Sequence, residues 1–357
     1  MNAVWRAPET DVATTHAVEF RGTGREYFRV WLVNVTLTLL TLGLYGPWAK
    51  VRTRRYFYGV TSLAGHSFDY HAAPMRILLG RIVIAGVLFA GLVSLQLGRW
   101  AVAMWAIAAI AVFPLLVRQA IRFNARNTSW RGVRFNFHAR YREALFACVL
   151  LPLAGLLTLF LLPAARGAWD RFRVNHLSFD GRLFRVEYSP ARMFAIFATG
   201  FVLIVGVLVA MIGATMGVLV FTTRMHDVAR HVIIPVDPTS FTQVFTLLFG
   251  TCAFFIAMFV MQMANNLTLS NTTIEGRHRI VSKPSPARVA LILLGNAVLI
   301  ALTLGLFWPF AKVRLARYRM SQISVIAQGD LDAFTAEALE MQSTMGRELS
   351  GLLEIGL

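Results

Sequence analysis

Cysteine is nearly absent: Cys148 and Cys252 are alone in 357 residues. Both lie inside apolar runs with no partner at redox or metal-ligand spacing, which excludes a thiol metal site and leaves two core-filling thiols. Lysine is almost as scarce, with only Lys50, Lys283 and Lys312, so the cationic character rests on arginine. Charged residues make up 15% of the chain and hydrophobic ones 57%. A soluble domain of this length cannot cover that much apolar surface, so a soluble protein is excluded. Nucleophile elbow, phosphate-cradling glycine loop, cysteine pair and His-Glu-x-x-His are all missing, and nothing points to an enzyme, a cofactor or a metal. The stretch "MNAVWRAPETDVATTHAVEF" has no apolar core preceded by cations and no small-residue cleavage site. A cleaved signal peptide is therefore not expected, and insertion uses the first internal span.

What is present is a series of apolar runs long enough to cross about 30 Å of hydrocarbon. They fall at residues 28–45, 77–97, 100–117, 144–162, 194–221, 241–264 and 289–310. The expectation is an all-α polytopic membrane protein with about seven transmembrane helices and short extramembrane β-hairpins. Residues 1–27 form an extramembrane segment, 28–310 the transmembrane domain, 311–333 the last extramembrane module and 334–357 an acidic tail. In that tail Phe334, Leu339, Met345, Leu349 and Leu352 at near-helical spacing, with Glu337, Glu340 and Glu348 between them, predict an amphipathic helix. The formal charge of +17 is not one patch for nucleic acid. Its cations sit in short loops after apolar runs, the distribution that holds helix ends at a cytoplasmic membrane face.

The chain repeats itself. "TLGLYGPWAKVRTRRY" at Thr41 returns 262 positions later as "TLGLFWPFAKVRLARY". From Pro47, fixed offsets lead to Arg55, Tyr56, Ser62, Gly65 and Phe68. From Pro114 they lead to Arg122, Phe123, Ser129, Gly132 and Phe135, and from Pro163 to Arg171, Phe172, Ser178, Gly181 and Phe184. From Pro309 they give Arg317, Tyr318 and Ser324, then depart with Ala327 and Asp330. A degenerate copy keeps Thr273 and Gly276 but has Asn266 and Leu267 where the Arg-aromatic pair should be. Five cassettes thus punctuate the apolar runs. In the four copies that keep it, a proline ends a membrane helix. An Arg-aromatic pair then lies at headgroup depth, where its guanidinium reaches lipid phosphate, and a glycine-centred hairpin follows outside the lipid. Arg55, Tyr56, Arg122, Phe123, Arg171, Phe172, Arg317 and Tyr318 are the candidate headgroup contacts, with anionic membrane lipids as the partner.

"FRGTGREYFRVWLVN", "LTLGLYGPWAKVRTRRYFYG" and "FDYHAAPMRILLGR" resemble the YjgN family of bacterial inner-membrane proteins, a domain of unknown function. The similarity runs over nearly all of residues 18–331. It implies a multi-pass protein of the bacterial plasma membrane and no particular reaction.

Counting room for spans between cassettes favours seven full crossings. That places "RFRVNHLSFDGRLFRVEYSPAR" and "TIEGRHRIVSK" on the outer side, against the positive-inside tendency. The alternative makes some runs re-entrant, broken at Gly43 and Pro47, Pro152 and Gly155, or Gly295 and Gly305, and keeps every cassette cytoplasmic. The C-terminus is cytoplasmic either way. Inside the spans Asn34, Thr41, Asn296 and Thr303 occupy matching places in the first and last runs. They either line a polar seam or hydrogen-bond a neighbouring helix. Arg81 and Arg76 snorkel to the interface. His226, Asp227 and His231 share a loop but have poor spacing for a metal, and His66, His71, His138 and His176 recur in the cassettes as hydrogen-bonding groups. Three functions follow: a non-enzymatic protein that binds or moves an anionic lipid or amphiphile, a small-solute transporter or channel using the polar spans, and a scaffold that recruits a protein by strand pairing.

Overall fold

The computed structural model describes residues 13–228 and 238–329. Four cassettes form hairpins: β2 (Thr61–Leu63) with β3 (His66–Tyr70), β4 (Thr128–Trp130) with β5 (Val133–Phe137), β6 (Leu177–Phe179) with β7 (Arg182–Val186), and β8 (Thr272–Ile274) with β9 (His278–Ser282). Their turns put Ala64, Arg131, Asp180 and Glu275 at φ of 48° to 52°, each followed by a glycine at 71° to 80°. Two successive positive φ values give the turn that matches strand twist, and the repeated glycine occupies the second of them without strain.

Each hairpin pairs with the next, and β1 (Ala13–Phe20) joins β2 on one side and β10 (Ile323–Gln328) on the other, closing a ten-stranded antiparallel barrel. The expectation of an all-α protein with short extramembrane β-hairpins is therefore amended to a mostly helical chain whose hairpins join in one barrel. The departure at Ala327 has a physical cause. The strand partner of β10 comes from the start of the chain, so β10 runs straight through the position at which the other cassettes turn, with Ala327 opposite Thr14. One backbone joint repeats five times around the ring. The N–H groups of Arg21, His71, His138, Glu187 and Lys283, just beyond a strand, donate to the carbonyls of Val60, Asn127, His176, Asn271 and Gln322 at 2.8 to 3.2 Å.

Side chains on one strand face fill the barrel. Phe68 is opposite Trp130, Phe135 opposite Phe179 and Phe184 opposite Ile274. Trp130, Val133, Phe179, Phe184 and Ala327 form its buried centre, with ring centroids 4.9 Å apart for Phe135 and Phe179 and 5.9 Å for Trp130 and Phe179. The repeated phenylalanine of the cassettes is a barrel-core residue.

Between strand pairs the chain leaves the barrel as a helical hairpin and comes back. The legs are α1 (Gly24–Leu40) and α2 (Gly46–Gly59); α3 (Pro74–Leu97) and α4 (Arg99–Arg126); α5 (Tyr141–Leu145), a π-helical turn Phe146–Leu150 and α6 (Leu151–Thr158), returning as α7 (Leu162–Asn175); α8 (Pro190–Val228) and α9 (Pro238–Ser270); α10 (Pro286–Leu302) and α11 (Trp308–Met320). A closed ring needs all its strands on one side, so each intervening segment must start and finish there. This corrects the expectation of seven full crossings, which put the cassettes near Arg171 and Thr273 across the membrane. Five helical segments, Pro74–Leu97, Arg99–Arg126, Tyr141–Thr158, Pro190–Phe221 and Thr242–Ser270, are long and apolar enough to cross.

Two hairpins are long on both legs. In the other three the return legs α2, α7 and α11 have 14, 14 and 13 residues, about 21 Å at 1.5 Å per residue and short of about 30 Å of hydrocarbon. Their prolines open the return helix rather than closing the apolar one: Pro47, Pro163 and Pro309 sit in its first turn, where a missing N–H costs nothing. Of the cassette prolines, Pro114 alone lies inside a helix, α4. At the three tips Leu42, Leu159 and Leu304 take φ of 50° to 55°, a left-handed conformation that leucine adopts rarely. The Gly43 and Gly305 N–H groups reach back to Thr38 and Ile300 carbonyls at 2.8 Å, closing the first and last tips alike.

Candidate functional site

The repeated Arg-aromatic pairs lie in the last turns of the return helices, against the barrel. Arg55 Nε donates to the Tyr70 carbonyl at 3.2 Å and Arg122 Nε to the Phe137 carbonyl at 3.1 Å, in each case at a strand end. Arg317 Nη2 donates to the Gly22 carbonyl at 2.9 Å, and the Arg171 guanidinium lies 5.5 Å over the Tyr188 ring. The aromatic partners face protein too. Tyr56 takes a bond from the Thr23 N–H and returns one to its carbonyl, and Tyr318 takes one from the Ser285 N–H, so each phenol fastens the start of the outgoing helix. Phe172 is buried with Phe137 and Ala125, and Phe123 packs on Val51 and Tyr70. Burial, then the Glu26 carboxylate, push the Tyr56 phenol up to about 12. In the degenerate cassette Asn266 Nδ2 donates to the Pro284 carbonyl at 2.7 Å, an amide doing the guanidinium's work.

The matching polar residues of the first and last hairpins stay apart. Asn34 Nδ2 reaches the Ala49 carbonyl at 3.4 Å and Thr53 Oγ1 at 3.3 Å, while Asn296 Nδ2 reaches the Ala311 carbonyl at 3.2 Å. Each amide ties the two legs of its own hairpin. Thr41 and Thr303 donate to the Leu37 and Leu299 carbonyls at 2.7 Å and accept from the Tyr45 and Phe307 N–H groups at 2.9 and 3.0 Å. They bridge the two helices at each tip.

A cleft of about 460 Å³ opens between α1, α2 and α11. Trp31, Asn34, Lys50, Thr53, Arg54 and Lys312 line it, the remaining wall residues are Val35, Thr38, Leu39 and Ala49, and no carboxylate is among them. Arg54 Nη1 is held by the Tyr70 hydroxyl at 2.7 Å and by Asn124 Oδ1. Lys312 Nζ lies 3.3 Å from the Tyr27 hydroxyl and 5.1 Å over the Phe57 ring. Arg54 and Arg81 bear on Lys50 through their charge, and the Arg81 guanidinium lies where a β-carbon at residue 46 would stand, so Gly46 lets it approach. Asn34 is 95% buried, and its Oδ1 has no protein partner. Cations crowded without an acid lower their mutual repulsion by taking an anion. The sequence carried a signal for this site: Lys50 and Lys312, two of three lysines, stand at one repeat position.

A second cluster had no sequence signal. Asp170 on α7 is fully buried and accepts from Arg166 Nε at 3.0 Å and Thr268 Oγ1 at 2.8 Å, with Arg173 at 3.6 Å. Arg166 Nη2 goes on to Asn265 Oδ1 at 2.7 Å. The network ties the third hairpin to α9, beside the cassette in which Asn266 and Leu267 replace the Arg-aromatic pair. Tyr188 is pushed up by burial and then by Asp170.

Histidines mark seams. His71 Nε2 meets Ser129 Oγ at 2.8 Å and His138 Nε2 meets Ser178 Oγ at 3.1 Å, each pair joining neighbouring cassettes. Among the described residues no three His, Cys, Asp or Glu side chains gather as a metal site. The His226 and Asp227 side chains, His231 and the acidic tail lie outside the described residues.

Comparison with known proteins matches residues 15–352 to the family described as bacterial protein of unknown function, DUF898. The chain belongs to the DUF898 family. Similar proteins include inner membrane protein YjgN of Salmonella typhimurium, 28% identical over 148 residues, and inner membrane protein YjgN of Escherichia coli O157:H7, 29% identical over 146 residues. These alignments take in 41% of this DUF898 chain and 38% and 36% of the relatives, so the chain spans well under half the length of the curated proteins it matches. No solved structure matches it.

Proposed function

We propose that this chain is a non-catalytic, multi-pass protein of the bacterial inner membrane that binds an anionic amphiphile, in the first place an anionic phospholipid. The address follows the relatives' printed names and the apolar helices. The binding reading rests on one observation: Lys50, Arg54 and Lys312 converge on a cleft with apolar walls and no carboxylate. Phosphate oxygens suit that set of donors, and Trp31, Val35 and Leu39 suit the chain that follows a headgroup. The exposed Arg55 and Arg317 add cations nearer the barrel. The cations cluster on the barrel side of the hairpins, so by the positive-inside tendency the barrel and the C-terminus face the cytoplasm.

Lipid extracted from protein purified in mild detergent tests the reading. The Lys50→Gln, Lys312→Gln double variant is expected to retain about thirtyfold less anionic lipid, from roughly 1 kcal/mol per cation near a membrane surface. Unchanged lipid content would remove the cleft from consideration. The other two readings have less support. The Asn34 and Asn296 amide nitrogens and the Thr41 and Thr303 hydroxyls bond within their own hairpins, and the barrel is filled by aromatic rings. A closed ring also leaves no strand edge for a partner to extend.

A further inference from the structure

The three short hairpins share a position that the long ones do not. Three residues after the proline that opens each return leg stands a cation: Lys50, Arg166 and Lys312. Each is ten residues from the carbonyl of the repeated barrel joint, at Val60, His176 and Gln322, which places all three about 15 Å from the barrel rim. Arg118 on α4 lies nine residues from its own joint at Asn127. Lys50 and Lys312, both exposed at that depth, mark the headgroup plane, because the charge stays in water while the stem lies along apolar surface; Arg166 at the same depth turns its guanidinium to Asp170 and Asn265. Beyond that plane the short hairpins continue for only about seven residues to the tip, roughly 10 Å, and one leaflet of hydrocarbon is about 15 Å thick.

The tips are built for lipid. Leu42 and Leu304 are each 95% exposed and Leu159 is 66% exposed. All three hold the left-handed conformation, for which asparagine or glycine would be free of strain. A leucine kept at a strained, exposed turn is useful only where the turn is immersed in hydrocarbon. The long hairpins, α3 with α4 and α8 with α9, run on through the far leaflet.

We propose that the protein is a one-sided membrane wedge that favours curvature with its barrel on the convex face. Ten helical legs occupy the leaflet next to the barrel, and four of them continue into the opposite one. Six extra legs, each about 10 Å across, add on the order of 500 Å² to the near leaflet. An expanded leaflet relaxes when it lies on the outside of a bend. This shape argument stands apart from headgroup binding in the cleft.

Nanotubes pulled from giant vesicles that contain the full-length protein test it. A fluorophore on Ser67→Cys, an exposed barrel position, in a Cys148→Ala, Cys252→Ala background reports density, and an external quencher identifies molecules with the barrel outside. Barrel-outward molecules are expected to be enriched about threefold in the tube, since insertion confined to one leaflet is curvature-sensitive. The Leu42→Asn, Leu159→Asn, Leu304→Asn triple variant, whose substitutions fit positive φ, should fold with unchanged or higher thermal stability and lose the enrichment. Equal density in tube and parent vesicle would overturn the wedge, as would sorting that the triple variant retains. Uncharged phosphatidylcholine vesicles separate the two ideas: sorting persists there if shape drives it, and sorting confined to anionic vesicles would overturn the wedge in favour of headgroup attraction.

Discussion

The first and last helical hairpins are built from nearly the same words, yet the cleft opens along the legs of the first and takes only Lys312 from the last. What they share makes the hairpin: Thr41 and Thr303 at the tip, Gly43 and Gly305 at φ of 92° and 93°, and Asn34 and Asn296 tying the legs. What differs makes the site. Gly46, Thr53 and Arg54 stand in the first copy where Trp308, Leu315 and Ala316 stand in the last. Glycine admits the Arg81 guanidinium, and Arg54 adds a cation where alanine offers none. Repetition therefore secures the scaffold, and the unrepeated positions carry the chemistry.

Substitutions at three places break or sharpen that contrast. The largest effect is expected at a unique joint. Asp170→Ala leaves Arg166 and Arg173 facing each other without their acid, a loss of about 3 to 5 kcal/mol for a broken buried ion pair, read from denaturant unfolding in detergent. Asp170→Asn, which keeps an acceptor for Thr268, should recover part of it. Next come the shared tips. Gly43→Val and Gly305→Val force a β-branched residue to φ above 90° and should cost about 1 to 3 kcal/mol each, equally in the two copies. Unequal losses would show that the two hairpins are not equivalent in the fold.

The smallest effect separates β9 from its neighbours. His278 is buried, and burial, then the charge of Arg182, hold it below the usual histidine range. The unfolded chain therefore takes up this proton first, at about pH 6.5. Stability from neutral His278 is complete above that pH and falls as acid is added, until the folded pKa is reached. Unfolding midpoints measured from pH 7.5 to 5 should decline in the native chain and flatten in His278→Gln.

Much of the fold was readable because it depends on neighbours in sequence. Gly65, Gly132 and Gly181 announced their hairpins, since a two-residue turn needs its second residue at positive φ and the strands on either side are adjacent in the chain. Tip breaks near Gly43 and Gly305 were readable for the same reason. The barrel was not. Its closing pair sets Ala13 against Gln328, and nothing local in either strand specifies a partner at the other end of the chain. The Arg-aromatic pairs were located correctly and assigned to headgroups. In the fold their bonds run to strand ends and helix starts, while Arg55 and Arg317 also remain exposed.

The amino-acid order by itself determined a membrane protein, its family likeness, five glycine- or serine-marked cassettes and the apolar runs between them, because composition, turn chemistry and hydrophobic length act over a few residues. Only the tertiary structure decided that the hairpins close into one ring, that three return legs are too short to cross, and that Lys312 joins Lys50 and Arg54 in one cleft. Those facts follow from ring closure, a constraint among strands and helices far apart in sequence that no short window of residues contains.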